Sequence, residues 1–188
     1  INHDKINKNI RYFQVKTDVD WSRSKLINFG LSHVKTELSV IVDVDFIFPS
    51  DYMEKLIKCC NMTDFNNNIL SLSCHETHDC YNTNSILRYA YENYGGIWIF
   101  NTELVKKCGG YNFDINGHGQ EERELEERLK LFNIDTIYGH IIYEDVYILH
   151  LSHDNDTRIS NNITKSDIIE NLKKITYKYQ LPIIKTNL

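Results

Sequence analysis

The sequence is poor in the residues that divide a chain into parts. Its two prolines are Pro49 and Pro182, and no Gly/Ser-rich stretch separates one half from the other. No linker is read, and 1–188 is expected to form a single domain. Long apolar runs are also missing. Leu38 to Val42 and Ile97 to Phe100 are the most apolar stretches, far short of the roughly 20 residues that cross a bilayer, so no transmembrane segment is expected. The chain opens at Ile1 with no basic-then-apolar leader, so any targeting segment is expected to be absent or to lie outside this stretch. Positive charge is not in excess: 21 Lys and Arg stand against 26 Asp and Glu, for a net charge of -5, and the basic residues are scattered. Without a basic stripe to track a polyphosphate backbone, nucleic acid is not an expected partner. The 5 cysteines are an odd number, and Cys59 and Cys60 are neighbours. That pattern suggests no disulfide framework and favours a reducing, cytoplasmic compartment. Asn61, Asn155 and Asn162 each open an Asn-x-Ser/Thr triplet, which an Asn-rich chain produces by chance and which carries no weight for secretion.

What is present describes an ordinary folded protein, with 41% hydrophobic, 12% aromatic and 25% charged residues. Local pattern predicts a short strand over Arg11 to Val15, a helix over Ser22 to His33 and a strand over Leu38 to Val44. Pro49, Ser50 and Asp51 have the chemistry of a helix start, and Tyr52, Leu56, Cys59 and Cys60 give the helix that follows an apolar face. Strands are read at Ile69 to Cys74, Ile97 to Phe100 and Tyr147 to Leu151. Glu103 to Cys108 reads as a short helix closed by Gly109. Glu121 to Phe132 is the strongest helical segment, with Leu125, Leu129 and Phe132 on one face and Glu124 spaced to pair with Arg128. A closing helix is predicted over Ser166 to Tyr177. Alternating strands and helices imply a layered α/β domain, and open sheets of that kind bind ligands beyond the carboxyl ends of their strands.

Several constellations carry chemistry. Asp43 and Asp45 follow an apolar strand and, two apart in extended chain, emerge on the same side. Two anions there need a counter-charge, which a divalent cation bridging a diphosphate would meet; the alternative is a turn of solvated acids. His150 and His153 stand three apart at the end of another apolar run. Imidazole suits Mn²⁺ better than Mg²⁺, so the pair could complete the acidic site, or could be ordinary surface or core histidines. Gly117 to Glu122 forms a glycine-rich turn into the strong helix, and Glu122 falls on the same face as Leu125 and Leu129. A partly desolvated carboxylate there can serve as general base for a hydroxyl, whereas most of the surrounding Glu and Arg residues read as a solvated, dipole-favoured helix start. Cys74, His75, His78 and Cys80 crowd possible zinc ligands into a short stretch, but they have no second ligand cluster to pair with. A loop near the active site is the expected role.

Taken in order, four stretches resemble the β-1,4-galactosyltransferase and N-acetylgalactosaminyltransferase group of GT-A-fold glycosyltransferases and related bacterial capsule enzymes. They are Trp21-Ser-Arg23-Ser-Lys-Leu-Ile-Asn28-Phe-Gly30; Val42-Asp43-Val-Asp45; Gly95-Gly96 through Gly109-Gly110-Tyr111 to Gly117-His-Gly-Gln-Glu121-Glu122; and His150-Leu-Ser-His153. The resemblance implies a GT-A-type, Rossmann-like mixed sheet flanked by helices. It also implies Asp45 and His153 as metal ligands, with Asp43 and His150 beside them. Trp21, Arg23, Asp43, Gly96 and His118 fall at the donor, Glu121, Glu122 and Tyr94 at the acceptor, and Glu122 on the catalytic base. The group usually has Trp where this chain has His118, and an acid where Arg123 follows the base. Only 42 residues precede Asp43, so part of the N-terminal nucleotide-binding unit is expected to lie outside this stretch. The implied activity is a Mn²⁺ (or Mg²⁺) dependent, inverting transfer of a hexose or N-acetylhexosamine from a UDP-sugar to a saccharide acceptor, as in polysaccharide biosynthesis. A non-catalytic GT-A-like module that binds a nucleotide sugar or glycan, and more weakly a nucleotidyltransferase, are the other readings.

Overall fold

A central strand, β3 (Asn68–Thr77), organises everything around it. In the computed structural model, which describes residues 10–14, 22–77, 86–90, 97–115, 121–139 and 146–151, it is long enough to serve two sets of neighbours. Its first half pairs antiparallel with β5 (Ile97–Asn101) on one edge and parallel with β6 (Asp135–Tyr138) on the other. Its second half pairs antiparallel with β4 (Ile86–Ala90) and parallel with β7 (Tyr147–Leu151). Two more strands extend the sheet: β1 (Leu38–Ile41) runs antiparallel to β5, and β2 (Phe46–Ile47) antiparallel to β7. Among the described residues this is a mixed, 7-stranded sheet.

Alternation along the strands divides the core between the two faces of that sheet. Leu70, Leu72 and Cys74 of β3 and Ile97 and Ile99 of β5 pack with Tyr52, Leu56 and Cys59 of helix α2 (Tyr52–Met62). Ile69, Trp98 and Phe100 point the other way, onto Leu31 of α1 (Arg23–His33), Val105 of α3 (Thr102–Lys107), and Leu125 and Leu129 of α4 (Glu121–Lys130). Helices thus cover both faces, as the alternating pattern implies. No helix among the described residues is long and apolar enough to cross a membrane.

Local chemistry sets the helix ends. Ser22 caps α1, its hydroxyl accepting from Lys25 N at 3.4 Å, and Asn101 caps α3 by accepting from Leu104 N at 3.0 Å. Gly109 and Gly110, at φ 91° and 67°, close α3 with left-handed backbone, and Gly110 N donates to Val105 O at 2.9 Å. Helix α4 ends similarly at Asn133, φ 60°, with Ile134 N donating back to Leu129 O at 3.1 Å.

Several expectations need correction. Residues 11–14 form no strand; Phe13 instead packs edge-on against Phe29 of α1, and Val15 lies outside the described residues. The strand read as Leu38 to Val44 stops at Ile41, because the chain turns at residues 44–45 before β2 begins. Phe132 is exposed, since α4 stops at Lys130 and the turn at Asn133 hands the next buried place to Ile134. The expected loop at Cys74 and His75 is the second half of β3, with both side chains buried; His78 and Cys80 lie outside the described residues. So does the closing helix read at Ser166 to Tyr177.

The turn after α3 gives a stability test. A Cβ on Gly110 would come within 2.4 Å of Asn28 Oδ1 at a backbone φ of +67°, whereas one on Gly30 meets nothing within 4 Å. Gly110→Ala is therefore expected to cost about 1–3 kcal/mol in urea unfolding, and Gly30→Ala, inside a helix, to be neutral or stabilising by about 0.5–1 kcal/mol. Equal stabilities would show that the turn is not clamped.

Candidate active site

The site is assembled from the ends of elements that are distant in sequence. Helix α1 begins at Arg23, helix α4 at Glu121, and the segment between β1 and β2 carries Asp43 and Asp45. Along that segment burial alternates: Val42 and Val44 are exposed, while Asp43 and Asp45 are turned partly inward. The strand that was to present the two carboxylates on one side ends earlier, at Ile41, and residues 44–45 form a turn.

Arg23 joins the pieces. Its Nη2 donates to Asp43 Oδ1 at 3.1 Å and its Nη1 to Glu122 Oε1, so one guanidinium holds the first acid of the turn and the glutamate of α4 together. The contact is well shielded, with the Arg23 and Glu122 side chains 11% and 8% exposed. Burial disfavours the charge on Arg23, but Glu122 and Asp43 more than offset it and hold its pKa above the usual range. Glu122 moves up as well. Its loss of water, reinforced by Glu121, exceeds what the shared guanidinium returns, so the carboxyl sits above the ordinary glutamate range.

Two residues beyond Asp43, the second acid meets an imidazole. β2 and β7 pair Phe46 with His150, and Leu151 N donates to Asp45 O at 2.9 Å, which fixes the acid beside the strand. His150 Nε2 lies 3.0 Å from Asp45 Oδ2, with the Phe46 ring edge-on against the imidazole. At that distance the two share a hydrogen bond; were a cation to take its place, a carboxylate oxygen and an imidazole nitrogen would suit Mn²⁺ more than Mg²⁺. The described residues contain no group of three His, Cys, Asp or Glu that could hold a metal. A cation at Asp45 and His150 would therefore need further donors, such as the oxygens of a bound diphosphate.

Of the residues singled out in the sequence, Arg23, Asp43, Asp45, Glu121, Glu122 and His150 are described: Arg23, Asp43 and Glu122 meet in one contact, Asp45 and His150 in another, and Glu121 is buried at the start of α4. Trp21, Tyr94, Gly96, His118 and His153 lie outside the described residues. Glu122 faces inward as its spacing implied, and Glu124 pairs with Arg128 at 2.8 Å. The solvated helix start does not hold, however, because Glu121, Glu124 and Glu126 are also buried. Glu124 is kept there by Arg128 and Asn112, and Glu126 by the Tyr138 hydroxyl, which donates to it at 2.7 Å. Periodicity does not register such polar partners. Sequence reasoning also gave no role to Asn28, whose carboxamide accepts from Tyr111 N at 2.8 Å and donates to Tyr111 O at 2.7 Å. Its place in the Trp21 to Gly30 motif was the available signal.

A mixed sheet covered on both faces, with an acidic turn beside it, is the architecture of GT-A-type folds, and comparison with solved structures agrees. The chain is similar to mannosyltransferase PcManGT from Pyrobaculum calidifontis, solved in complex with GDP-Man and Mn²⁺, with a TM-score of 0.56 at 20% identity over 89% of this chain. It spans 46% of that protein's length. At this identity the likeness concerns the fold, and the narrower galactosyltransferase-group resemblance is not part of it. No family model matches the chain. No curated protein matches it either.

The buried pair makes a direct prediction. Arg23→Gln leaves Glu122 without its guanidinium and is expected to lower stability at pH 7 by about 3–5 kcal/mol. Glu122 already sits above its unfolded value and rises further without Arg23, so the folded state then holds its proton more tightly than the unfolded one. The penalty should therefore be full above the raised value and shrink as pH falls into the ordinary carboxylate range, where Glu122 is neutral in both states. Denaturant midpoints at pH 4 and pH 8 check this; a pH-independent loss would contradict it.

Proposed function

We propose that the chain is the catalytic core of a glycosyltransferase that moves a sugar from a nucleoside diphosphate donor to an acceptor hydroxyl, with inversion at the anomeric carbon. The observation that carries the reading is Glu122: a buried carboxylate at the start of α4, tied through Arg23 to Asp43 of the acid pair. The GT-A-type fold supports it, as does the ordered match of motifs around these residues. The donor is taken to be a UDP-linked hexose or N-acetylhexosamine and the acceptor a saccharide, both on the strength of the galactosyltransferase-group resemblance. The similar mannosyltransferase was solved with GDP-Man, so a guanine donor belongs among the alternatives tried.

The residues divide the work. Asp45 and His150, with His153, would hold Mn²⁺, which when bound supplies positive charge against the departing diphosphate. Arg23 adds a second positive charge beside it. Trp21, Asp43, Gly96 and His118 line the donor, and Tyr94 and Glu121 the acceptor. Glu122 accepts the proton of the acceptor hydroxyl as its oxygen attacks the anomeric carbon from the face opposite the leaving diphosphate; the bond to the phosphate oxygen breaks as the new bond forms. A carboxylate raised by burial is well matched to this task, since a base poised nearer neutrality accepts a proton more readily.

Glu122→Gln is expected to bind nucleoside diphosphate and Mn²⁺ as the parent does but to lose transfer by about 10²–10⁴-fold. Product formation from UDP- and GDP-sugars in the presence of saccharide acceptors measures this, and near-parental turnover would remove Glu122 as the base. The pH profile gives a second check. Because Glu122 must be ionised and its pKa is raised by burial, transfer should fall as pH drops through that raised value, before an ordinary glutamate protonates. An acid limb at or below the usual glutamate value would contradict the assignment.

A further inference from the structure

Helix α1 has little apolar surface to hold it. Of its apolar side chains, Leu31 is buried and Ile27 packs in part against the same cluster, while Leu26 and Phe29 are exposed. Helix α2, by contrast, sends Tyr52, Leu56 and Cys59 into the core. Apolar contact is non-directional and by itself permits small slides and rotations. Direction comes from Asn28. Its carboxamide accepts from Tyr111 N at 2.8 Å and donates to Tyr111 O at 2.7 Å, so two bonds to one residue set both the height and the rotation of the helix. The turn that receives them is itself held from α4. Arg128 donates to the carbonyls of Cys108 and Gly110, and the fully buried Glu124 accepts from Arg128 Nε at 3.1 Å and Nη2 at 2.8 Å. Gly110 leaves the space that the carboxamide fills, since any Cβ there would collide with Asn28 Oδ1.

We propose that Asn28 is a positioning residue for the candidate site: by clamping α1 to a turn that α4 also holds, it keeps Arg23 where one guanidinium reaches Asp43 and Glu122 at once. The inference rests on the nucleotide-sugar reading given above and adds a residue to it. Arg23 opens the helix that carries Asn28, about 7.5 Å away along the axis. Over so short a length the hydrogen-bonded backbone moves as one piece, so what is fixed at Asn28 is fixed at Arg23. The guanidinium contacts carboxylates from two other segments, and a slide of the helix that favours one contact loosens the other. Glu122 would then lose the partner that orients it, and misplacing a reacting group by about 1 Å can cost about 100-fold in rate. The contacts close a ring: Arg23 and Asn28 on α1, the Cys108 to Tyr111 turn, then Arg128 and Glu122 on α4.

The test is a double-mutant cycle on Asn28→Ala and Arg23→Gln in the full chain, read in two ways. Unfolding in urea at pH 8 needs no substrate. If Asn28 acts through Arg23, the double variant's unfolding constant should rise less than the two single increases multiplied together, by about fivefold or more. Transfer is read next, from UDP- and GDP-sugars with Mn²⁺ and saccharide acceptors, at a temperature where each variant is folded. Asn28→Ala should lower kcat about 10–100-fold with the KM for acceptor unchanged, and should lower it no further once Arg23 is replaced. Simple multiplication in the unfolding cycle would overturn the proposal. Parental kcat in folded Asn28→Ala would overturn it too, since the clamp would then serve stability alone. Where the double variant does not fold, Arg23→Lys, which keeps the charge and loses the fork, takes the place of Arg23→Gln in both readings. A parent that transfers from neither sugar nucleotide removes the functional reading, and the unfolding cycle then decides by itself whether Asn28 places Arg23.

Discussion

The arrangement depends on one buried guanidinium. Arg23 stands where α1, the acidic turn and α4 meet, and it compensates carboxylates on both of the other segments. A lone carboxylate as buried as Glu122 would be expelled or protonated; paired, it can be kept at an inward-facing position. The same contact sets the chemistry, because Arg23 tempers the upward shift that burial imposes on Glu122 without abolishing it. Stability and reactivity are thus governed by the same pair of atoms.

That pair is only as well placed as the helices that carry it, and these are tied together at a third point. The Cys108 to Tyr111 turn receives Asn28 from α1 and Arg128 from α4, and Gly110 leaves room for the Asn28 carboxamide where any Cβ would collide. A side-chain amide that pairs with both backbone groups of one residue acts like a short stretch of sheet between a helix and a turn. Together with the shared apolar cluster beneath it, this ties the middle of α1 and the last turn of α4 to the same turn. Asp45 and His150 are positioned independently, through the pairing of β2 with β7.

Much of the fold could be read from pattern, because pattern reports burial. Alternation in Ile69 to Cys74 and Ile97 to Phe100, and the spacing of Leu125 and Leu129, located elements whose apolar faces meet in the core. The strands that escaped notice are the two-residue β2, and β4 and β6, whose sequences mix polar with apolar residues and are held by pairing to β3. At the site, spacing placed Glu122 inward and paired Glu124 with Arg128. It gave the wrong surroundings for Glu121, Glu124 and Glu126, because a buried carboxylate is set by partners far away in sequence, such as Tyr138 for Glu126. The contacts of Arg23 across 20 and 99 residues lie beyond any local window.

A double-mutant cycle on Arg23 and Glu122 tests the central interaction most directly. With Arg23→Gln, Glu122→Gln and the double variant unfolded in denaturant at pH 8, a shared buried ion pair predicts that the double variant loses less stability than the two single losses added together, by about 1–3 kcal/mol. Strict additivity would mean that the two side chains do not depend on one another, and the account of the site built on them would be wrong.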